Sequence, residues 1–418
     1  MRFPSLHNEE RDRCFSSPLT YFFLMLPFGI SGGFLGVTLP FIFTRAGVPV
    51  ATTAAVIAIG SSPVVWRFLW APPVDLSLST HFWYVIGLVG SAATLLVVVL
   101  VPPVPGLLLT SVVFLSQVAA NVLSLPVAGM IAHTVAEDQQ GMASGWYQAG
   151  SLCGAGVAGG AGVWLVTHSG TTTAGVVLAV SMLICSVALF YVPNVRPMSR
   201  SRIVERWHFF WSEFFEMVKS PMALLVMALT SSPLGAGGAA QLWSAVAPDW
   251  RAGPNTVALV TGVLSGVFSA GGCVVGGWSC DRLGRFWAFF GGGTLLGVLA
   301  ILLAALPRTP QIYSAGVLGY AVVMGFVSSA FTALILSVIG RGAATAKYAI
   351  INSLGNVPVL YMTASDGWAH DRWGASGMLY WEGLLGLAAV AVGLVALSRV
   401  KKRSAEVGAG RTQLIAAG

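Results

Sequence analysis

The sequence predicts an all-α integral membrane protein of about twelve transmembrane helices in two pseudo-symmetric six-helix bundles. Three observations carry that reading. Only 9% of the 418 residues are charged, 56% are hydrophobic, and the mean hydropathy is +0.80. A soluble domain of this length needs more polar surface. Apolar runs of spanning length also recur along the chain, enough for a dozen helices at about 20 residues each. Finally, features of the first half return about 200 residues later, as in a duplicated architecture. The 50 glycines suit helices that approach closely in lipid. The strand-type alternation of an outer-membrane barrel is not evident.

The elements follow in order. Residues 1–18 are polar and form an N-terminal segment that does not resemble a cleavable signal peptide. Six spans are expected over Leu19–Thr44, Val50–Trp70, His81–Val101, Gly106–His133, Gly141–Val166 and Thr172–Val192, giving a first bundle over 19–193. In the linker 194–220, Ile203, Trp207, Phe210, Phe214 and Val218 recur at helical spacing among arginines, which predicts an amphipathic helix on the membrane surface. Six further spans are expected over Pro221–Val246, Asn255–Trp278, Phe286–Leu306, Gln311–Ile339, Tyr348–Asp366 and Gly377–Ser398, giving a second bundle over 221–398. A basic tail, 399–418, follows.

An even number of spans puts both ends on one side. Only Arg45, Arg251, Arg308 and Arg372 then fall on the opposite side, leaving 18 of the 22 Lys and Arg on the side of the termini. That side should be cytoplasmic, and the compartment a bacterial inner membrane. The net charge of +7 is thus a topology signal and not one for nucleic acid. The five cysteines show no metal-ligand or disulfide spacing and read as small packing residues, and no cofactor or metal site is expected.

Charges at the edges of apolar runs mark candidate gates. Arg67 and Asp75 bracket Phe-Leu-Trp-Ala-Pro-Pro-Val, where Pro72-Pro73 must interrupt a helix. Either the pair forms a gate, or Arg67 snorkels and Asp75 caps. In the second half, Gly276-Gly-Trp-Ser-Cys-Asp281-Arg282-Leu-Gly-Arg285 places Asp281 and Arg285 a turn apart after the eighth span. This stretch resembles the loop motif of the major facilitator superfamily, in its second-half copy. Within that superfamily, Leu69-Trp-Ala-Pro-Pro-Val-Asp75 resembles a segment of the branch of AmpG-type muropeptide permeases and acetyl-CoA transporters. Ala346-Lys347-Tyr348-Ala349 through Gly367-Trp368 and Trp373-Gly374 resembles the eleventh span and following loop of the same branch.

The resemblance implies alternating access between two bundles, a small-molecule solute, proton coupling and a monomer. Two departures bear on it. Ser77, Ser79, Thr80 and His81 stand where the branch has basic residues, and the fourth span has Gln117-Val118 with no acid before Glu137. Proton coupling therefore needs another carrier. Glu382 is the first candidate, since it lies inside the last apolar run, with Asp366 and His133 behind it at helix ends. The expected cavity residues are Gln117 and Asn121, Tyr147 and Gln148, Gln241 and Trp243, and Asn352 and Asn356, each of which either meets solute or bonds another helix. No phosphate-binding loop is present to use ATP, so transport would be secondary active. Uptake of a muropeptide-, CoA-ester- or siderophore-like solute is the first expectation. An exporter of the same superfamily is the second, ahead of a receptor or a membrane-embedded enzyme. An enzyme is disfavoured because the spans hold no His-x-x-x-His or paired-carboxylate cluster.

Overall fold

The computed structural model describes residues 16–67, 79–104, 106–135, 140–194, 212, 215, 219–339 and 351–416. Within them the chain is helical, with no strand among the described residues. Nine helices are long and apolar enough to cross a membrane, and two shorter apolar helices accompany them. One of the nine, over 351–402, is two helices merged across Gly374, whose φ of +68° ends one and begins the next. Counting these two, the described residues form twelve apolar helices, α1 to α12.

In the first half, α1 is Thr20–Arg45, continuous through a π-helical turn at Phe34–Thr38, and α2 is Val50–Val64. Within the expected span Val50–Trp70 the described part is not one regular helix: Ser62–Val64 tightens into a 3₁₀ turn, because Pro63 offers no N–H to continue the ladder, and residues 68–70 lie outside the described residues. Helix α3 is Thr80–Leu100, capped where the Ser79 side chain accepts from the Phe82 N–H, and α4 is Leu107–Thr134. Helix α5 is Gln140–His168 and α6 is Thr171–Tyr191, separated by Gly170 at φ +90°. The predicted amphipathic linker lies almost entirely outside the described residues.

In the second half, α7 is Pro221–Thr230, started by Pro221 at its first turn and a Ser220 cap. The expected span to Val246 is not one helix; its interruption is described below. Helix α8 covers 254–283, so Asp281 and Arg282 lie in its last turn and not at the start of a loop. The chain turns only at Gly284, φ +87°, which supplies the conformation that ends the helix. Helices α9 (Arg285–Ala305) and α10 (Pro310–Ile339) follow. Helix α11 covers 351–373 and α12 runs from 375 to Ala416, past the expected end at Ser398.

Glycine sets the close packing. A Cβ at Gly29 or Gly33 would overlap the backbone carbonyls of Ser151 and Ala155, so α1 lies directly on α5. Gly272, Gly276 and Gly325 do the same between α8 and α10. In lipid, where apolar surface drives little association, such approach supplies the dispersion contacts. The two halves meet on the face of Gly374. There Gly156 and Gly160 of α5 face Ala258 and Gly262 of α8, Gly367 of α11 faces Val50 and Ala54 of α2, and the Thr44 hydroxyl donates to the Ala245 carbonyl at 3.1 Å.

Candidate functional site

The site is built on the interruption of α7. Ser231-Ser232-Pro233-Leu234-Gly235-Ala236-Gly237-Gly238 cannot stay helical: Pro233 removes a donor, and Gly235 and Gly237 take φ of +71° and +67°. The chain resumes as a 3₁₀ turn at Gly238–Gln241 and a short helix at Trp243–Val246. Backbone groups freed inside a membrane must find partners. Four side chains from three helices supply them. The Tyr361 hydroxyl donates to Ser231 O (3.2 Å), Thr363 Oγ1 to Gly238 O (3.3 Å) and the Tyr313 hydroxyl to Trp243 O (2.9 Å). Glu382 Oε1 accepts from the Ala239 N–H at 3.3 Å.

Glu382 and Asp366 thereby come together. Glu382 on α12 is 4% exposed, and its Oε1 also accepts from the Tyr320 hydroxyl of α10 at 2.6 Å. Its side chain faces the bundle interior and not the membrane interface. Asp366 on α11 is 0% exposed, and its Oδ2 lies where a Cβ on Gly238 would stand. It was expected at a helix end, but α11 continues to Trp373, so the residue lies two turns deeper. Each carboxyl is eight residues from Gly374, which at the helical rise is about 12 Å below that end. The two meet the chain at consecutive residues, Asp366 at Gly238 and Glu382 at Ala239. Trp243, 5.5 Å from the Tyr320 ring, joins Trp250 and Tyr313 in an aromatic cluster beside them.

On the other side of the same break lies a cavity of about 270 Å³. Gln148, Ser232, Ser328, Thr332, Asn352 and Asn356 give it a polar, uncharged lining, with Met324 and Phe331 among its apolar walls. The wall is thin. Ser232, Leu234, Gly235 and Ala236 line the cavity, a Cβ at Gly237 would overlap Met324, and Gly238 and Ala239 touch the carboxyl pair.

The remaining expected residues fall elsewhere. Arg67 is half-buried and donates to Ser124 Oγ and the Tyr147 hydroxyl, both at 3.0 Å, tying the chain just after α2 to α4 and α5. Its expected partner Asp75 lies outside the described residues. Gln117 donates to Ser31 Oγ at 2.9 Å, and Asn121 donates back to the Gln117 carbonyl, so this pair joins helices and does not line the cavity. Gln241 is half-buried and points its Oε1 at Gly36 of α1, while Trp243 is buried in the aromatic cluster. Arg282 stacks over Trp278 at 5.0 Å, and Arg285 is exposed at the start of α9. Asp281 and His133 lie on helices, but their side chains are outside the described set. The sequence reading missed Tyr320, Thr363 and the glycines of the break. A Pro and three Gly inside an expected span were the available signal. No group of three or more potential metal ligands occurs among the described residues.

The arrangement resembles known transporters. A POT family transporter solved with a thioalcohol-conjugated peptide is 12% identical, with 91% of this chain and 96% of that one covered at a TM-score of 0.72. Another, solved with 5-aminolevulinic acid, is 11% identical over 91% and 96% at 0.73. The nucleoside transporter NupG is 12% identical over 90% and 98% at 0.68. At these identities the likeness is one of fold. No curated protein sequence matches the chain. The sequence profile described as Major Facilitator Superfamily matches residues 19–360. That match makes the chain a multi-pass membrane transporter and not an enzyme, and it belongs to the Major Facilitator Superfamily.

Proposed function

We propose that this secondary transporter takes up a small or medium polar solute together with protons, with Glu382 as the proton carrier and Asp366 as its partner. One observation carries the reading: the interrupted stretch of α7 has the solute-sized cavity on one side and the buried carboxyl pair on the other. Discontinuous helices at mid-membrane are where transporters of several folds place substrate and coupling ion. Here Ala239 and Gly238 contact the carboxyls while Ser232, Leu234, Gly235 and Ala236, a few residues away, line the cavity. A change in one site displaces the other through this short segment.

The lining suggests the solute class. Amides and hydroxyls from Gln148, Asn352, Asn356, Ser328 and Thr332 suit a neutral or zwitterionic hydrogen-bonding compound. No Lys or Arg lies among the described lining residues, and the phosphates of a CoA ester would call for such cations. Of the solutes that the AmpG-type resemblance implies, a sugar–peptide fragment fits this lining best. In the bacterial inner membrane, with both termini cytoplasmic, the cavity lies toward the cytoplasm and the closed face toward the outside. The protein acts as a monomer.

Uptake into proteoliposomes tests this, with muropeptides, siderophores and CoA esters offered with and without an inward proton gradient. The expected result is gradient-stimulated uptake of a muropeptide-type solute, abolished by a protonophore. Glu382→Gln should lose the stimulation and keep solute counterflow, which needs no net proton movement. Gradient-independent uptake, or efflux of unrelated compounds, would replace the reading with the exporter alternative.

A further inference from the structure

The break in α7 holds more buried polar atoms than the protein satisfies. Asp366 is fully buried, and neither Oδ1 nor Oδ2 has a hydrogen-bond partner. Glu382 Oε2 is also buried and unpartnered. Both carboxyls are placed at the break. Asp366 Oδ2 sits against Gly238, and Glu382 is held through Oε1 by the Tyr320 hydroxyl and the Ala239 N–H.

Such a carboxyl is costly in both forms. Ionised, it lacks donors or a counter-charge; neutral, its O–H lacks an acceptor. Two neighbouring carboxylates repel as well. A cation between them relieves all of these costs together. The oxygens at the site are hard ones, from the two carboxyls and the Tyr320 hydroxyl, and the unwound segment presents the Ala239 N–H to Glu382. Transition metals favour imidazole or thiolate, and Ca²⁺ asks for 6–8 oxygen ligands. Buried carboxylates beside an unwound helix at mid-membrane match a small monovalent ion.

We infer that Asp366 and Glu382, with the unwound segment of α7, form a binding site for a small monovalent cation, either free Na⁺ or an ammonium group carried by the solute. The site uses the carboxyl pair of the proposed function but does not depend on proton coupling. It makes the cation and the proton competitors for the same oxygens. The groups facing it are Glu382 from α12, Asp366 from α11 and Tyr320 from α10, while α7 contributes backbone. The next titratable group on α11 is His370, one turn nearer Gly374 and bonded to Asp249 at 2.6 Å.

Thermal unfolding of the purified full chain in detergent tests the inference without knowledge of the solute. NaCl, KCl and methylammonium chloride are compared with choline chloride at equal ionic strength. Na⁺ or methylammonium should raise the midpoint by about 2 °C or more over choline, less in acidic buffer than in alkaline, and not at all in Asp366→Asn. A response to Na⁺ alone identifies a free ion; a response to methylammonium alone identifies an ammonium group on the solute. If Asp366→Asn does not fold, Na⁺ and methylammonium titrations of the unaltered protein decide, since proton competition requires weaker apparent affinity in acid. Midpoints equal to choline for both cations, or a shift that is the same in acid and alkali, overturn the site. Protonophore-insensitive uptake would instead overturn proton coupling and leave the cation site standing.

Discussion

Helices α1 and α7 each open one half of the molecule, and both carry proline and several glycines, yet only α7 breaks. Helix α1 contains Pro27, Gly29, Gly32, Gly33 and Gly36 and still runs from Thr20 to Arg45 with no more than a π-helical turn. Its glycines keep helical geometry and serve contact: Gly29 and Gly33 let the α5 backbone approach. In α7 the proline is followed by Gly235 and Gly237 at positive φ, and the freed groups are met by Glu382, Thr363 and Tyr361. Composition alone does not decide whether a membrane helix breaks. The neighbours do, by offering either a flat backbone to lie against or polar side chains to accept the unwound chain.

That contrast is open to direct attack. The largest effect is expected from Gly238→Ala, whose Cβ would meet Asp366 and the Met362–Thr363 backbone of α11. It should stop transport and lower stability by about 1–3 kcal/mol, as overpacking does, read as uptake and as thermal unfolding in detergent. Gly33→Ala forces the same overlap against Ala155 on α5 and should cost a similar ~1–3 kcal/mol. In this variant the protein that remains folded should still respond to a proton gradient. Equal loss of coupling in both variants would erase the distinction between packing glycines and site glycines. Tyr320→Phe removes one donor from Glu382 Oε1 and should cost about 1–3 kcal/mol, appearing as slower gradient-driven uptake with solute counterflow retained. Smallest of all, Gly32→Ala meets nothing within 4 Å and should be neutral or stabilising by up to about 1 kcal/mol, from helix propensity.

The fold was legible because a bilayer imposes one rule on every span, and runs of some twenty apolar residues report it whatever their packing. The site was legible only in part. Glu382 announced itself as an acid inside an apolar run. Asp366 did not, because the charges at Asp366, His370, Asp371 and Arg372 look like the end of a span, while the turn itself is made at Gly374. The α7 break was read through as continuous helix because hydropathy stays high across Pro233 to Gly238, and hydropathy does not register φ. Tyr320 carried no signal at all: a tyrosine in an apolar run looks like any packing aromatic until its hydroxyl is seen 2.6 Å from a carboxylate. The paired amides divided as their neighbours dictated. Gln117 found Ser31 and joined two helices, whereas Asn352 and Asn356 were left facing a cavity.

The joint at Gly374 makes α11 and α12 the two prongs of a tuning fork. A single residue connects them, and Arg308 pins its base through a 3.0 Å bond to Ser376 Oγ. Asp366 and Glu382 sit at matching heights on the prongs, eight residues from the stem on either side. The angle between the prongs, and with it the spacing of the two acids, is set at this one non-helical residue. Between them lies the glycine strap of α7, held to both prongs by Thr363 on one and Glu382 on the other.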